Sequence, residues 1–292
     1  MSADAVAGLR VGVLGAGLMG GGIAALFAAA GAEVAVHDPD PARLAAVAGE
    51  HDVRPVGSLA EVAADVELVI EAAPEDLALK RELFAALDAA APAEAILATN
   101  SSAISTGEIA AATRRPERVV GTHWWNPPGL VELVEVIEAE ATSAATVART
   151  MAILRAAGKA PVHVRRDLPG FVGNRLQHAL RREALALVDE GVCAPADVDL
   201  VARAVLAPRL AALGLIAAAD LEGLDTVAAQ QEALDPHLES GGEPARGLAT
   251  RVALGTLGAK TGSGYLDWSD ARRASIDRRL AAVLDPGVRT SP

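Results

Sequence analysis

A glycine-rich turn between an apolar strand and a helix constrains this chain more than any other part of its sequence. Residues 11–14 (Val-Gly-Val-Leu) predict a short buried strand, and Gly15, Gly17 and Gly20 follow it with the spacing G-x-G-x-x-G. Gly15 suits the tight turn, Gly17 lets a pyrophosphate approach the backbone, and Gly20 allows the helix to pack closely on the strand. Residues 23–30 predict the rest of that helix, whose first N–H groups and positive dipole end favour phosphate.

An acidic residue after the second predicted strand indicates the nucleotide. Residues 33–37 predict this strand, Asp38 stands at its end, and Arg43 is the nearest cation. A carboxylate at this position accepts hydrogen bonds from the hydroxyl groups of an adenosine ribose and repels a 2′-phosphate. The strand, turn, helix and acid together favour NAD over NADP, and they disfavour a glycine turn that binds nothing.

Composition and charge exclude several classes of protein. The length of 292 residues is sufficient for two domains, and the net charge of −12 argues against nucleic acid and anionic membranes as partners. Residues 11–32 carry no charge, but their glycines and strand-then-helix pattern argue against a membrane span. Cys193 is the single cysteine, so we expect no disulfide within the chain and no metal site. The first residues lack the basic region of a secretion signal, which favours a cytoplasmic protein.

Strands and helices alternate through the first half of the chain. Further strands are predicted at residues 66–70, 95–98, 119–120, 131–137 and 162–164, and further helices at 77–90 and 146–157. This alternation predicts an α/β, Rossmann-type fold, in which a doubly wound parallel sheet carries helices on both faces.

The pattern changes after Asp167. Helices are predicted at residues 171–190 and 197–205, and a short strand at 264–267. We therefore predict an NAD-binding domain over residues 1–166 and a smaller all-α domain over residues 167–292. The apolar helices of this second domain either form a dimer surface or pack on one another.

A histidine and a glutamate are candidates for acid–base chemistry. His123 lies in Gly-Thr-His-Trp-Trp-Asn-Pro-Pro, at the end of a predicted strand, which is where ligands bind in such sheets. Glu135 shares one face of the predicted strand 131–137 with apolar residues, and a carboxylate on an apolar face needs a partner. Either it pairs with His123 and fixes the tautomer of the imidazole, or it lies on the solvent face. The spacing leaves both interpretations open.

Seven motifs, in order along nearly the whole chain, resemble the 3-hydroxyacyl-CoA dehydrogenase family. They are Gly-Ala-Gly-Leu-Met-Gly (15–20), Glu-Ala-Ala-Pro-Glu (71–75) with Lys80, Asn-Ser-Ser (100–102), Thr-His-Trp-Trp-Asn-Pro (122–127), Leu-Val-Glu-Val (133–136), Pro-Gly-Phe-Val-Gly-Asn-Arg (169–175) and Lys-Thr-Gly-Ser-Gly-Tyr (260–265). The resemblance implies a homodimeric NAD-dependent oxidoreductase of fatty acid metabolism. Its reaction would be hydride transfer from the 3-hydroxyl carbon of a 3-hydroxyacyl thioester to NAD.

The same resemblance implies roles for individual residues. His123 would be the general base that takes the 3-hydroxyl proton, Glu135 would orient its imidazole, and Ser102 and Asn174 would hydrogen-bond the reacting oxygen. The residues implied for NAD binding are Gly15, Gly17, Leu18, Met19, Gly20, Asp38, Glu75, Lys80, Ser102, Asn126 and Lys260. The chemistry itself needs a base that titrates near the working pH and a donor for the reacting oxygen, and it needs no metal.

Two departures from the family pattern concern the substrate. In fatty-acid-oxidising members a long helical hairpin after the second strand contacts CoA, whereas here residues 39–65 fill that interval and supply only Arg43 and Arg54 as cations. Several phosphate charges on CoA would need more positive partners. Trp124 and Trp125 also replace the phenylalanine pair that is usual after the histidine. Both features resemble the carnitine and gulonate dehydrogenases, so the alternative substrate is a small polar β-hydroxy acid or alcohol without CoA. A thioester on an acyl-carrier protein is a further way to present the hydroxyl group.

Two other classes of function remain as alternatives. An NAD-binding sensor or structural protein without catalysis would have no need for His123, Glu135, Ser102 and Asn174 together. A reductase or decarboxylating dehydrogenase that uses NADP would need a cation where Asp38 stands.

Overall fold

A single sheet organises the first half of the chain. The structure, a computed structural model, describes residues 6–284, and within them eight strands form this sheet. The strands are β1 (Arg10–Leu14), β2 (Glu33–His37), β3 (Arg54–Pro55), β4 (Leu68–Glu71), β5 (Ile96–Thr99), β6 (Val119–Trp124), β7 (Leu133–Ile137) and β8 (Ala160–Val164). They lie side by side in the order β3-β2-β1-β4-β5-β6-β7-β8.

The helices connect these strands and then continue alone. The helices of the first half are α1 (Leu18–Ala29), α2 (Pro41–Glu50), α3 (Leu59–Ala63), α4 (Leu77–Ala90), α5 (Thr106–Ala110) and α6 (Ala144–Ala156). The later helices are α7 (Gly173–Asp189), α8 (Pro195–Val201), α9 (Ala207–Leu213), α10 (Leu215–Glu222), α11 (Leu224–Leu234), α12 (Arg246–Ala253) and α13 (Asp270–Leu284).

Two apolar layers cover the two faces of the sheet. Side chains alternate along a strand, so β1 places Val11 and Val13 in one layer, where they join Phe27 of α1, and Leu14 in the other, where it joins Phe84 of α4. The predicted doubly wound α/β fold with helices on both faces is therefore confirmed, and the predicted all-α region follows it.

One pair of strands departs from the predicted parallel sheet. All neighbouring strands are parallel except β6 and β7, which are antiparallel with His123 opposite Glu135. A parallel pair needs a crossover connection of a dozen or more residues, usually a helix. Residues 125–132 are too few for such a crossover, so the chain turns back beside β6.

The described residues divide into two compact units, the first consisting mainly of residues up to Arg175 and the second of Leu176–Ala282. The boundary predicted near Arg166 stays a prediction. In the second unit the predicted strand at 264–267 is wrong, because this region forms only the isolated bridges Gly258–Ser263 and Ser263–Asp267. Among the described helices none is by itself long and apolar enough to cross a membrane, although the bent pair Pro195–Leu213 and Leu215–Glu222 together have the required length and composition.

Candidate active site

The glycine turn after β1 has the shape that a pyrophosphate requires. Gly15 has φ +96°, and a Cβ there would lie 2.7 Å from the Ala72 carbonyl oxygen; a Cβ on Gly20 would overlap the Gly15 oxygen. A Cβ on Gly17 would instead meet open space, and no side chain caps the start of α1. The first N–H groups of this helix therefore remain available to an anion, and the turn fits the phosphates of NAD.

The other residues predicted around this turn lie where β2 ends and α1 begins. Leu18, which is 74% exposed, and Met19 are the first two residues of α1. Asp38 is buried, and its Oδ2 accepts a hydrogen bond from the Ala16 N–H at 2.7 Å. Asp38 thus ties the end of β2 to the glycine turn.

Glu75 holds the loop that carries Ser102. Its Oε1 accepts hydrogen bonds from the Ser101 hydroxyl at 2.6 Å and from the N–H groups of Ser102 and Ala103 at 2.9 and 2.8 Å. Burial opposes ionisation of Glu75, but these hydrogen bonds and the nearby Lys80 charge lower its pKa below the ordinary value. Glu75 is therefore ionised and orders this loop.

A buried ion pair next to Glu75 was not predicted from the sequence. Lys80 Nζ lies 2.6 Å from Glu71 Oε1 and 3.6 Å from Glu75 Oε2, and the Thr99 hydroxyl donates to Glu71 Oε2 at 2.7 Å. Lys80 is 1% exposed and Glu71 0%. The available signal was a glutamate at the end of the apolar strand Leu-Val-Ile-Glu, since a buried charge requires a partner.

His123 and Glu135 form a buried pair across β6 and β7. His123 Nδ1 lies 2.7 Å from Glu135 Oε2, and the two residues are 3% and 1% exposed. The N–H groups of Val172 and Gly173, at the start of α7, donate to Glu135 Oε1 at 2.9 and 3.0 Å. The structure thus decides between the two interpretations of Glu135 in favour of the pair.

The electrostatics of this pair follow from its contacts. Burial of Glu135 opposes ionisation, but the hydrogen bonds from His123, Gly173 and Val172 lower its pKa below the ordinary value. Because the carboxylate is ionised, His123 Nδ1 is the donor in this contact, and the other ring nitrogen, Nε2, takes no part in it. A histidine held by a carboxylate in this way is suited to acid–base chemistry.

Two aromatic rings flank His123. The Trp125 ring centroid is 5.1 Å from that of the imidazole, and the Phe171 centroid is 5.4 Å from it. Phe171 is buried and has φ +48°, an uncommon backbone conformation for a bulky side chain. The imidazole is therefore held by Glu135 through Nδ1 and by two tilted aromatic rings.

The remaining predicted site residues are partly brought together. Asn174 Nδ2 donates to the Ser102 carbonyl oxygen at 3.4 Å, which joins the start of α7 to the Ser102 loop. Asn126 is exposed and lies two residues after the β6 end that carries His123–Trp124. Lys260 belongs to the second unit, whereas the other predicted site residues belong to the first. The described residues contain no group of three or more His, Cys, Asp or Glu that could hold a metal ion.

Comparison with known proteins identifies the family. A family model described as the NAD binding domain of 3-hydroxyacyl-CoA dehydrogenase matches residues 10–56 and 50–168, and one described as its C-terminal domain matches residues 170–268. A probable 3-hydroxybutyryl-CoA dehydrogenase of Bacillus subtilis is 38% identical, over 88% of this chain and 96% of the relative. An L-carnitine dehydrogenase of Nocardiopsis dassonvillei is 35% identical, over 94% of this chain and 90% of the relative.

A solved structure is similar over nearly the whole chain. It is that of 5-formyl-3-hydroxy-2-methylpyridine 4-carboxylic acid 5-dehydrogenase, described as an NAD+ dependent dismutase. The TM-score is 0.89 at 29% identity, and the match covers 94% of this chain and 96% of the other. Both family models place the dehydrogenase domains where the sheet and the later helices lie. The chain therefore belongs to the 3-hydroxyacyl-CoA dehydrogenase family, and it is an NAD-dependent dehydrogenase that acts on a CH–OH group of its substrate.

Proposed function

We propose that this dehydrogenase oxidises the 3-hydroxyl group of a 3-hydroxyacyl thioester and that His123 is the general base. The observation that carries the proposal is the buried contact of 2.7 Å between His123 Nδ1 and Glu135 Oε2. His123 Nε2 takes the hydroxyl proton while the C–H bond at the same carbon breaks and a carbonyl group forms. NAD, when bound, supplies the acceptor for the hydride that leaves with both electrons of that bond.

The other residues bind and orient. Glu135 holds the imidazole and stabilises the positive charge that it gains with the proton. Ser102 and Asn174, joined at 3.4 Å through the Ser102 carbonyl oxygen, hydrogen-bond the reacting oxygen. We assign to NAD binding the residues Gly15, Gly17, Leu18, Met19, Gly20, Asp38, Glu75, Lys80, Ser102, Asn126 and Lys260.

A second candidate substrate is a small polar β-hydroxy acid without CoA. One observation favours it: residues 39–65, the interval in which a CoA-contacting hairpin is expected, contain two arginines against five carboxylates. One of these arginines, Arg43, already lies 3.4 Å from Asp40. Such a surface repels the phosphates of CoA. Relatives named for carnitine and for a pyridine carboxylate support this candidate.

The proposal extends to organisation and place in the cell. We assign NAD binding to residues 1–166 and substrate binding and dimerisation to residues 167–292, in a cytoplasmic homodimer. None of the residues in Leu176–Ala282 is buried, although this unit is rich in apolar side chains. A second copy of the chain would cover such side chains. A role in fatty acid metabolism applies if the substrate is a thioester.

Replacement of His123 tests the proposal. The experiment follows NADH absorbance with L-3-hydroxybutyryl-CoA, free 3-hydroxybutyrate and carnitine for the wild-type chain, His123→Ala and His123→Asn. We expect both variants to lose at least about 10²-fold in kcat, the scale of a general base, with the Kd for NAD unchanged. The control is His51→Ala, because His51 is exposed at the end of α2. Retained turnover in both His123 variants would contradict the assignment of the base.

A further inference from the structure

The indole of Trp125 packs directly against Gly173, the first residue of α7. A Cβ on Gly173 would overlap Trp125 Cζ2 and would lie 3.0 Å from Cη2 and 3.3 Å from Cε2. All three atoms belong to the six-membered ring of the indole. Trp125 can therefore occupy this position only because residue 173 has no side chain, and the two residues are matched in size.

Packing, and not hydrogen bonding, sets the position of this ring. The buried Nε1 of Trp125 has no hydrogen-bond partner among the described residues. Two contacts of the ring are Gly173, at its Cζ2 edge, and the His123 imidazole, whose centroid lies 5.1 Å away at an interplanar angle of 59°. A change in the size of either residue 125 or residue 173 would consequently move the surface that the base presents to its substrate.

The indole also lies between groups to which the proposed function gives direct roles. His123 is on one side of it, and Gly173 precedes Asn174, whose amide reaches the Ser102 loop. Trp125 is half-buried, and its flat ring lies beside the base. A flat apolar surface favours stacking with a flat unsaturated group over contact with a short alkyl group.

We propose that Trp125 and Gly173 are a size-matched pair that determines specificity, by favouring a flat unsaturated group on the carbon that loses hydride. The inference rests on the proposed function, because it takes His123 as the base. It applies equally to a thioester and to a free acid, since the indole contacts His123, the proposed base, and both kinds of substrate present the same hydroxyl group to that base.

Two substrate pairs and three variants test this inference. Each pair compares a methyl with a phenyl group on the reacting carbon: 3-hydroxybutyrate with 3-hydroxy-3-phenylpropanoate, both as free acids and as CoA thioesters. We expect the wild-type chain to prefer the phenyl member. Trp125→Phe should lower kcat/KM for the phenyl member by about tenfold or more, the scale of lost contacts in an apolar pocket, and change that for the methyl member by less than about threefold.

The double variant separates specificity from a structural defect. Gly173→Ala forces the indole aside and should lower kcat/KM for the phenyl member, mainly through KM, while the Kd for NAD stays unchanged. Trp125→Phe removes the overlapping ring atoms, so Trp125→Phe/Gly173→Ala should lose no more kcat/KM for the phenyl member than Trp125→Phe alone. Alanine fits a helix start, and a further loss in the double variant beyond that of Trp125→Phe would overturn the size match.

The remaining outcomes distinguish the two proposals. A wild-type preference for the methyl member, or an equal effect of Trp125→Phe on both members, overturns the inference while the proposed function stands. Absence of turnover on all four compounds by a chain that binds NAD overturns the proposed function and, with it, this inference.

Discussion

Glu135 is the side chain that connects the sheet, the base and the first turn of α7. One carboxylate oxygen faces His123 and the other accepts two N–H groups of residues 172 and 173. The N–H groups at a helix start favour an anion, so the carboxylate is held ionised although it is buried. Its charge and its position are therefore set by the same contacts.

Removal of this charge should affect activity and acid stability together. For Glu135→Gln we expect kcat to fall about 10²-fold, because a neutral amide cannot balance the charge on the imidazole, while the Kd for NAD stays unchanged. The folded pKa of Glu135 lies below that of the unfolded chain, so its ionisation stabilises the fold above the unfolded pKa. This contribution is lost as the pH falls through the folded pKa. Urea unfolding at neutral pH and at about pH 4 should show a smaller loss of stability on acidification for Glu135→Gln than for the wild-type chain.

The fold offers a matched control for this substitution. Glu138 Oε2 lies 2.7 Å from His163 Nε2, but both side chains are about one third exposed. Glu138→Gln should leave kcat unchanged, since this pair is outside the proposed site. Equal losses of kcat in the two glutamine variants, or an unchanged acid dependence in Glu135→Gln, would contradict the role given to Glu135.

Individual residues differed in how far the sequence could predict them. The glycine spacing predicted the phosphate turn because each glycine meets a local steric requirement. The His123–Glu135 pair was only one of two interpretations, since it depends on β7 running antiparallel to β6. Residue spacing does not encode packing between separate segments. For this reason it predicted neither the Glu71–Lys80 pair nor the contact between Trp125 and Gly173.

Helices and strands also differed in how well the sequence predicted their bounds. The predicted bounds of β2 and α4 agree with the structure. The three consecutive apolar residues of β2 are buried between Glu33 and His37, and Asp76 caps α4 by accepting a hydrogen bond from the Leu79 N–H at 3.0 Å. The helix α1 begins at Leu18, so residues 23–29 continue it as predicted, and a Cβ on Gly20 would overlap the oxygen of Gly15 in the turn before it. The helices α2 and α3 lie in the interval read only as a shortened hairpin.

The buried pair Glu71–Lys80 holds three elements together, namely β4, β5 and α4. Loss of one partner leaves the other charge buried, which typically costs about 3–5 kcal/mol. We expect Glu71→Gln and Lys80→Met each to lower the free energy of unfolding by this amount in urea titrations. The double variant should lose less than the sum, because it leaves no unpaired charge.

An exposed pair provides the comparison. Arg43 Nε lies 3.4 Å from Asp40 Oδ2, and the two side chains are 61% and 46% exposed. Arg43→Met should change the free energy of unfolding by less than about 1 kcal/mol. Additive losses in Glu71→Gln/Lys80→Met would show that the two residues act independently, against the coupling inferred here.

The second unit has a large exposed apolar surface. Many of its large apolar side chains are exposed, among them Ile216 at 79%, Leu221 at 75% and Leu254 at 73%. Apolar helical surface of this extent is typical of an interface, and a symmetric dimer would bury the same surface of both copies. Full burial of each such side chain contributes roughly 1.5–3 kcal/mol, which opposes the free-energy cost of association.

A charge on this surface should therefore weaken the dimer. We expect the wild-type chain to sediment as a homodimer, and Ile216→Glu/Leu221→Glu to raise the dimer Kd by at least about tenfold, or 1.4 kcal/mol, in sedimentation at a series of concentrations. Ala86→Glu, on the exposed side of α4, is the control that should remain dimeric. A wild-type chain that stays monomeric at every concentration would contradict the proposed dimer. Dissociation by Ala86→Glu as well would place the interface on the sheet domain, and the exposed helices would then require another explanation than a second copy.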